Sequence, residues 1–230
     1  MSEVKVLSTH AVEAVLRALA PKVAHASGQR LTIRYDPANA LKRAIENGAA
    51  FDVAIVTRPV IDELAAQGLV LRETCRDIAR SGLGVAVRAG APKPDIASPD
   101  AFKRALLAAR SVVRSSEGAS GVYFEKLLQR LGIADVLRGR IVLGPSGRVA
   151  EMVARGEAEL AVQQIPELLP VEGVDFAGPF PDALQLSTIF SAGVGAAASD
   201  RAAAAALVEA LAAPSAAALF KVQGLEPIAC

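Results

Sequence analysis

A short apolar stretch, a loop of small polar residues and then a helix-spaced segment recur along this chain, and that alternation narrows the folds open to it. Val4–Leu7 reads as a short buried strand. Ala11–Ala26 follows with Val12, Val15, Leu16, Leu19 and Val23 at helical spacing, closed by Gly28. Leu31–Tyr35 is a second strand, and Pro37 or Ala38 opens a helix that runs through Glu46 to Asn47-Gly48. Phe51–Val56 is a third strand, apolar except for Asp52 and so expected to be covered on both faces. Pro59–Ala66 is a helix closed by Gly68. Three strand–loop–helix units in succession argue for a parallel sheet flanked by helices.

A second run begins after a break. Gly82–Val87 is a glycine-rich apolar strand, and Ser98-Pro-Asp caps a helix reaching about Leu107. Ser111–Arg114, Arg140–Leu143 and Glu159–Gln163 read as strands, with helices over Val122–Leu131 and Arg148–Arg155 between them. The tail supplies a strand, Thr188–Val194, an Ala-rich helix capped by Ser199-Asp200, and another helix opened by Pro214. Those last helices have no sheet of their own and are expected to pack on the first. The expected architecture is α/β with two lobes, each a mainly parallel sheet flanked by helices and with the ligand cleft between them. Residues 1–81 and 188–230 form a discontinuous lobe 1, and residues 82–187 form lobe 2.

Composition removes several function classes. The 230 residues carry 25 Lys plus Arg against 24 Asp plus Glu, a net charge of +1, so no broad basic surface awaits nucleic acid or acidic membrane. Aromatics are 4% with no Trp, which disfavours stacking platforms. Two Cys, Cys75 and Cys230, and two His, His10 and His25, make no metal-ligand cluster, so neither metal nor cofactor is expected. His25, late in its helix, reads as a solvent-facing or C-terminal charge partner. Arg201–Phe220 is the most apolar stretch, but it is mostly Ala and is interrupted by Glu209 and Pro214, so no membrane insertion is expected. No signal peptide is read at the N-terminus. The sequence as it stands is therefore expected in the cytoplasm, or in the periplasm if an export signal was removed.

In open α/β sheets ligands sit where strands end and helices begin. The first such loop is Ser8-Thr9-His10, where Ser8 or Thr9 either caps the helix or donates to a ligand, and His10 lies on the loop itself. The second, Asp36-Pro-Ala-Asn39, offers Asn39, as a turn residue or an anion donor. The third, Ser115-Ser-Glu-Gly-Ala-Ser120-Gly121, runs into Val122-Tyr123 and offers Ser120, Gly121 and Tyr123. It lacks the Gly-Lys-Ser/Thr ending of a P-loop. Gln164, after Gln163, offers an amide at the equivalent place. Arg80-Ser81 lies at the first crossover, where an Arg can pair with a carboxylate. There is no Gly-x-Ser-x-Gly elbow, no Cys with a neighbouring base and no paired acids. Neutral donors with one His and one Arg suit anion recognition better than hydrolysis.

Several of these segments together resemble the molybdate-binding type of periplasmic binding protein, with the type II solute-binding fold. They are the opening strand–loop–helix reaching Leu19-Ala-Pro21, Ala40-Leu-Lys-Arg-Ala-Ile-Glu-Asn-Gly48 before Phe51-Asp-Val-Ala-Ile55, Ala119-Ser-Gly-Val-Tyr123 before a helix ending Leu131-Gly132, and Val153-Ala-Arg-Gly-Glu-Ala158. The resemblance runs from Val4 to Pro227. In that family two Ser on the first and second ligand loops hold the oxyanion; this chain has Ala11 and Ala38 there, and Gln164 where the family places a Tyr. The resemblance with those departures implies a small organic anion of carboxylate type rather than molybdate. The same subfamily also resembles aconitate isomerase, which uses this fold to move a proton along a tricarboxylate, and that likeness implies His10 as acid/base. A small-molecule anion is thus the expected partner. An ABC transporter permease joins it only if the protein is exported, and the chain itself is expected to be a monomer or weak dimer.

Overall fold

The structure is a computed structural model that describes residues 3–27 and 30–228; Gly28, expected to close the first helix, the His25 side chain and Cys230 lie outside the described residues. In chain order the elements are β1 (Glu3–Ser8), a 3₁₀ turn (His10–Val12), α1 (Glu13–Ser27), β2 (Arg30–Tyr35), α2 (Ala38–Glu46), β3 (Val53–Thr57), α3 (Arg58–Ala66) and β4 (Arg76–Ser81). Then follow β5 (Leu83–Arg88), α4 (Pro99–Ala108), β6 (Val112–Ser115), α5 (Ala119–Arg130), α6 (Ala134–Leu137), β7 (Ile141–Gly144), α7 (Val149–Ala154), β8 (Leu160–Gln164), α8 (Ile165–Leu168) and β9 (Val174–Pro179). β10 (Thr188–Val194), α9 (Arg201–Ala212), α10 (Ala217–Val222) and β11 (Glu226–Pro227) complete the chain. Two compact units result, one of Met1–Arg80 with Thr188–Cys230 and one of Ser81–Ser187.

In the first unit the described strands are ordered β11-β4-β10-β3-β1-β2. β1 runs parallel to both β2 and β3, while β10 is antiparallel to β3. The period of two sorts the apolar residues onto two faces. Val4, Val6, Val53 and Ile55 meet α1 together with Leu207, Val208, Leu211 and Phe220 of the C-terminal helices. Leu7, Ala54 and Val56 meet Leu41 and Ile45 of α2 and Val60, Ile61 and Leu64 of α3. The helices without a sheet of their own therefore do pack on the first sheet. α9 and α10 are together apolar enough for a span, but they bend by 61° and bury this face in the core; among the described residues no single helix is long and apolar enough to cross a membrane.

The second unit orders its strands β7-β6-β8-β5-β9. β6 is parallel to β7 and β8, and β5 is antiparallel to β8 and β9. Leu83, Val85, Val112 and Val162 pack on Phe102, Phe124 and Phe180. The opposite face, with Ala86, Val113 and Ala161, receives Val149, Ala150 and Val153 of α7.

Both sheets are mixed, not mainly parallel as expected. A parallel strand needs a crossover helix before it, and β5 and β10 are reached without one. β4 and β9 escape the periodicity reading altogether. β4 spells Arg-Asp-Ile-Ala-Arg-Ser, and its charges are matched by neighbours: Asp77 accepts from Ser191 Oγ and Arg58 Nη1 at 2.6 Å each, and Arg76 meets Glu209 at 2.9 Å. The glycine-rich β5 is explained by β9, because a Cβ on Gly84 would stand 2.5 Å from the Phe176 ring.

Asp52, the polar residue expected in the third strand, lies just ahead of β3 and is 3% exposed. It accepts from the Lys5 N–H at 2.7 Å, the Ser199 N–H at 2.7 Å and the Ser199 hydroxyl at 2.9 Å, tying β1 to the segment before α9. Burial pushes its pKa up, but these donors outweigh it and hold the carboxyl below its usual range. The ionised form therefore stabilises the fold above the ordinary carboxylate range, and that contribution is lost as pH falls through the lowered folded-state value. Asp52→Asn is expected to cost about 1–3 kcal/mol at neutral pH. In thermal melts across pH, its deficit against wild type should shrink below about pH 4.

Candidate ligand-binding site

In the first unit parallel pairing lines up three strand ends, with Ser8 opposite Tyr35 on β2 and Ile55 on β3. The chain leaves β1 through Ser8 and Thr9, both buried, with the Thr9 N–H bonded to the Ile55 carbonyl at 2.9 Å. Neither hydroxyl caps the helix that follows. Ser8 Oγ donates to the Thr9 carbonyl at 3.0 Å, and Thr9 Oγ1 is buried with no partner in the protein. His10 Nδ1 lies 3.2 Å from Glu13 Oε2, and the imidazole stacks on Tyr35 with centroids 6.0 Å apart. The Tyr35 hydroxyl is likewise buried without a partner. Burial, with a smaller push from Glu13, moves its pKa up to about 12 against an opposing effect of Arg17, so it remains a donor at neutral pH. Ala11, at a position where the resemblance expects a hydroxyl, is 2% exposed. Ala38 opens α2 behind Pro37, and Asn39 is exposed as the second residue of that helix.

In the second unit Ser115 closes β6 with its side chain buried, and its Oγ accepts the Gly118 N–H at 3.1 Å. α5 starts at Ala119, so Ser120 and Gly121, expected in the loop, belong to its first turn and are buried. Gly121 lets that turn sit against the strand end, since a Cβ there would fall 2.0 Å from the Ser115 carbonyl oxygen. Ser146, after β7, has a buried hydroxyl without a partner, and Gly118 sits close to it. At the end of β8 both Gln163 and Gln164 are buried; Gln163 donates through Nε2 to Glu167, and its Oε1 has no partner. Arg114 backs this rim: nine-tenths buried, it donates to the Ser115 carbonyl at 3.1 Å and to Glu125 at 2.9 Å.

Three of the expected residues are engaged elsewhere. Arg80 donates from Nε to Glu226 at 2.6 Å, with both side chains more than half exposed. The Tyr123 hydroxyl donates to the Leu184 carbonyl at 2.9 Å, and its ring packs on the core of the second unit. Ser81 is buried and donates to the Gly82 carbonyl at 2.9 Å. Composition and spacing left Glu13, Tyr35, Arg114 and Ser146 unmarked. A Pro145-Ser146-Gly147 turn after a strand was the available signal for Ser146; a charged or aromatic residue within a helix or strand carries none.

The helices that follow these strand ends share a property. α2, α3 and α5 begin at Pro37, Thr57 and Gly118 with no side chain capping them, whereas α4 and α9 are capped by Ser98 and Asp200. Uncapped first turns present N–H groups and a partial positive charge at the rim, where an anion is favoured. Among the described residues no group of three His, Cys, Asp or Glu is placed to hold a metal ion. The Cys75 thiol is pushed up chiefly by burial, away from nucleophilic use.

Residues 4–226 match the family described as bacterial extracellular solute-binding protein. The chain belongs to that family. Such solute-binding proteins are typically periplasmic, and the fold of this one is the type II periplasmic-binding fold of the molybdate-binding kind. It is 35% identical to an aconitate isomerase of Pseudomonas sp. over 97% of this chain and 87% of that protein. The periplasmic molybdate-binding protein of Azotobacter vinelandii superposes with a TM-score of 0.82 at 22% identity, covering 96% of this chain and 98% of that one. The sulfate-binding protein of Mycobacterium tuberculosis superposes with 0.80 at 18% identity, covering 99% and 88%. At these two identities the likeness is one of fold.

The contacts at the β6 end allow a graded test. Ser115→Ala in this solute-binding protein removes one acceptor and is expected to cost about 0.5–1.5 kcal/mol. It should also speed hydrogen exchange at the Gly118 amide. Gly121→Ala forces a methyl against backbone and is expected to cost about 1–3 kcal/mol, so calorimetric melting should rank it as the more damaging change.

Proposed function

We propose that this solute-binding protein takes a small organic anion with carboxylate groups through the strand-end loops of its units. The observation that carries this reading is the set of uncapped helix starts at those loops, supplemented by the buried, unpartnered hydroxyls of Thr9, Tyr35 and Ser146. Thr9, His10, Asn39, Ser120, Gly121 and Gln164 are the residues assigned to the ligand. Arg80, Ser81 and Tyr123 join only if their present hydrogen bonds are exchanged for the anion. Ala11 and Ala38 argue against molybdate or tungstate. Hydrogen bonds to a charged group are worth about 1.5–3 kcal/mol each, so two missing hydroxyls weaken a tetrahedral oxyanion by orders of magnitude.

A second reading uses the same loops: isomerisation of an unsaturated di- or tricarboxylate, with His10 as acid/base. The relative named aconitate isomerase supports it, as does an imidazole on the first ligand loop. A binding component of a transporter works outside the cytoplasm beside a permease; an isomerase needs neither.

Thermal-shift and calorimetric titrations separate these ligands. A tricarboxylate such as aconitate at 100 times its dissociation constant is expected to add about 2.7 kcal/mol of stability, with molybdate and sulfate inert. Sub-micromolar molybdate binding would contradict the proposal. Incubation of aconitate in D₂O with wild type and with His10→Gln then distinguishes binding from turnover. Deuterium entering carbon with wild type alone supports the isomerase. Tight binding without exchange leaves a binding protein, in which His10→Gln lowers affinity only modestly.

A further inference from the structure

His10 does not stand alone at the end of β1. It opens the 3₁₀ turn and Glu13 opens α1, so the two side chains meet one turn apart, Nδ1 to Oε2 at 3.2 Å and both largely buried. Arg17 Nη2 holds the other Glu13 oxygen at 2.5 Å, which fixes the carboxylate from behind. The parallel register sets Tyr35 beside Ser8, and its ring lies against the imidazole at 29° between planes. Two polar atoms next to this group, the Tyr35 hydroxyl and Thr9 Oγ1, are buried with no partner in the protein. A carboxylate accepts only, so a neutral imidazole that bonds to it must carry its proton on Nδ1, leaving the Nε2 lone pair bare.

We infer that Glu13 is a positioning residue that holds His10 in the Nδ1–H tautomer, making Nε2 the proton acceptor, and that Tyr35 donates its hydroxyl to a ligand carboxylate. This deepens the isomerase reading and rests on it. In a propene tricarboxylate Nε2 takes one proton from the methylene carbon. The C–H electron pair spreads over the three-carbon unit and into the carboxylates, and the protonated imidazole, whose N–H exchanges with solvent between the two steps, returns one proton to the carbon that was vinylic. One C–H bond breaks and another forms, the double bond moves by one position, and no oxidant or reductant is consumed. The Tyr35 hydroxyl and the uncapped start of α2, two residues further along the same unit, steady the charge that develops on the carboxylates.

The tautomer is readable without any ligand. Long-range proton–nitrogen NMR on uniformly labelled protein is expected to show His10 protonated on Nδ1 and bare on Nε2. Glu13→Gln, whose side-chain carbonyl still accepts, should retain that tautomer, and Glu13→Leu should lose it. Deuterium exchange into aconitate should slow by roughly 10²-fold or more in Glu13→Leu and far less in Glu13→Gln. Tyr35→Phe should raise the aconitate dissociation constant about tenfold or more. An Nε2–H tautomer in wild type, or undiminished exchange in Glu13→Leu, overturns the dyad. A wild type that shows Nδ1–H but neither binds nor exchanges aconitate upholds the His10–Glu13 arrangement and overturns the isomerase reading instead.

Discussion

Ser8 stands opposite Tyr35 on one side and Ile55 on the other because β1 is paired in parallel with both β2 and β3. Parallel pairing is what the candidate site in the first unit depends on. It makes neighbouring strands finish at the same edge, so loops separated by tens of residues in sequence become adjacent, and each feeds a helix whose first N–H groups face that edge. The second unit repeats the device with β6 between β7 and β8. Antiparallel neighbours, as at β10 and β5, end in the opposite sense and extend the sheets without adding to the row.

The unpartnered donors along these edges are neutral, and nearby arginines are already paired. Arg114 grips the Ser115 carbonyl and Glu125, Arg58 is shared between Asp62 and Asp77, and Arg17 holds Glu13. A guanidinium already paired with a carboxylate supports loop geometry and contributes little net field. The rim itself presents hydroxyls, amides and backbone N–H groups. Groups of this kind select by shape and hydrogen-bond count.

Much of the fold was legible because burial imposes period. Val4, Val6 and Leu7 of β1, and Val53 to Val56 of β3, announce strands covered on both faces, and the two α/β runs announce two sheets. β4 was not legible, since its only buried apolar residues are Ile78 and Ala79 and its charged side chains are matched by partners as distant as Ser191, Glu209 and Glu226. β9 has every residue half-buried or exposed, so it leaves no pattern; its partner β5 carries the trace as Gly84, which makes room for Phe176. The loops of the candidate site could be found by their Ser, Thr, Asn and Gly content, but that content could not say which side chains stay open. Nor could it say that Arg80 pairs with Glu226 or that the Tyr123 hydroxyl bonds to the Leu184 carbonyl.

The sequence by itself determined the α/β class, the two sheets, the return of the C-terminal helices to the first sheet and the place of the Ser8-Thr9-His10 loop at the end of β1. All of these follow from local periodicity and turn chemistry. Only the tertiary structure decided that Thr9 is not a cap, that Ser120 and Gly121 belong to a helix, and that Glu13 and Tyr35 flank His10. The reason is physical: a hydrogen bond or ring contact depends on register between strands and on the angle at which a helix leaves its strand, and those are set by packing across the sheet rather than by neighbours along the chain.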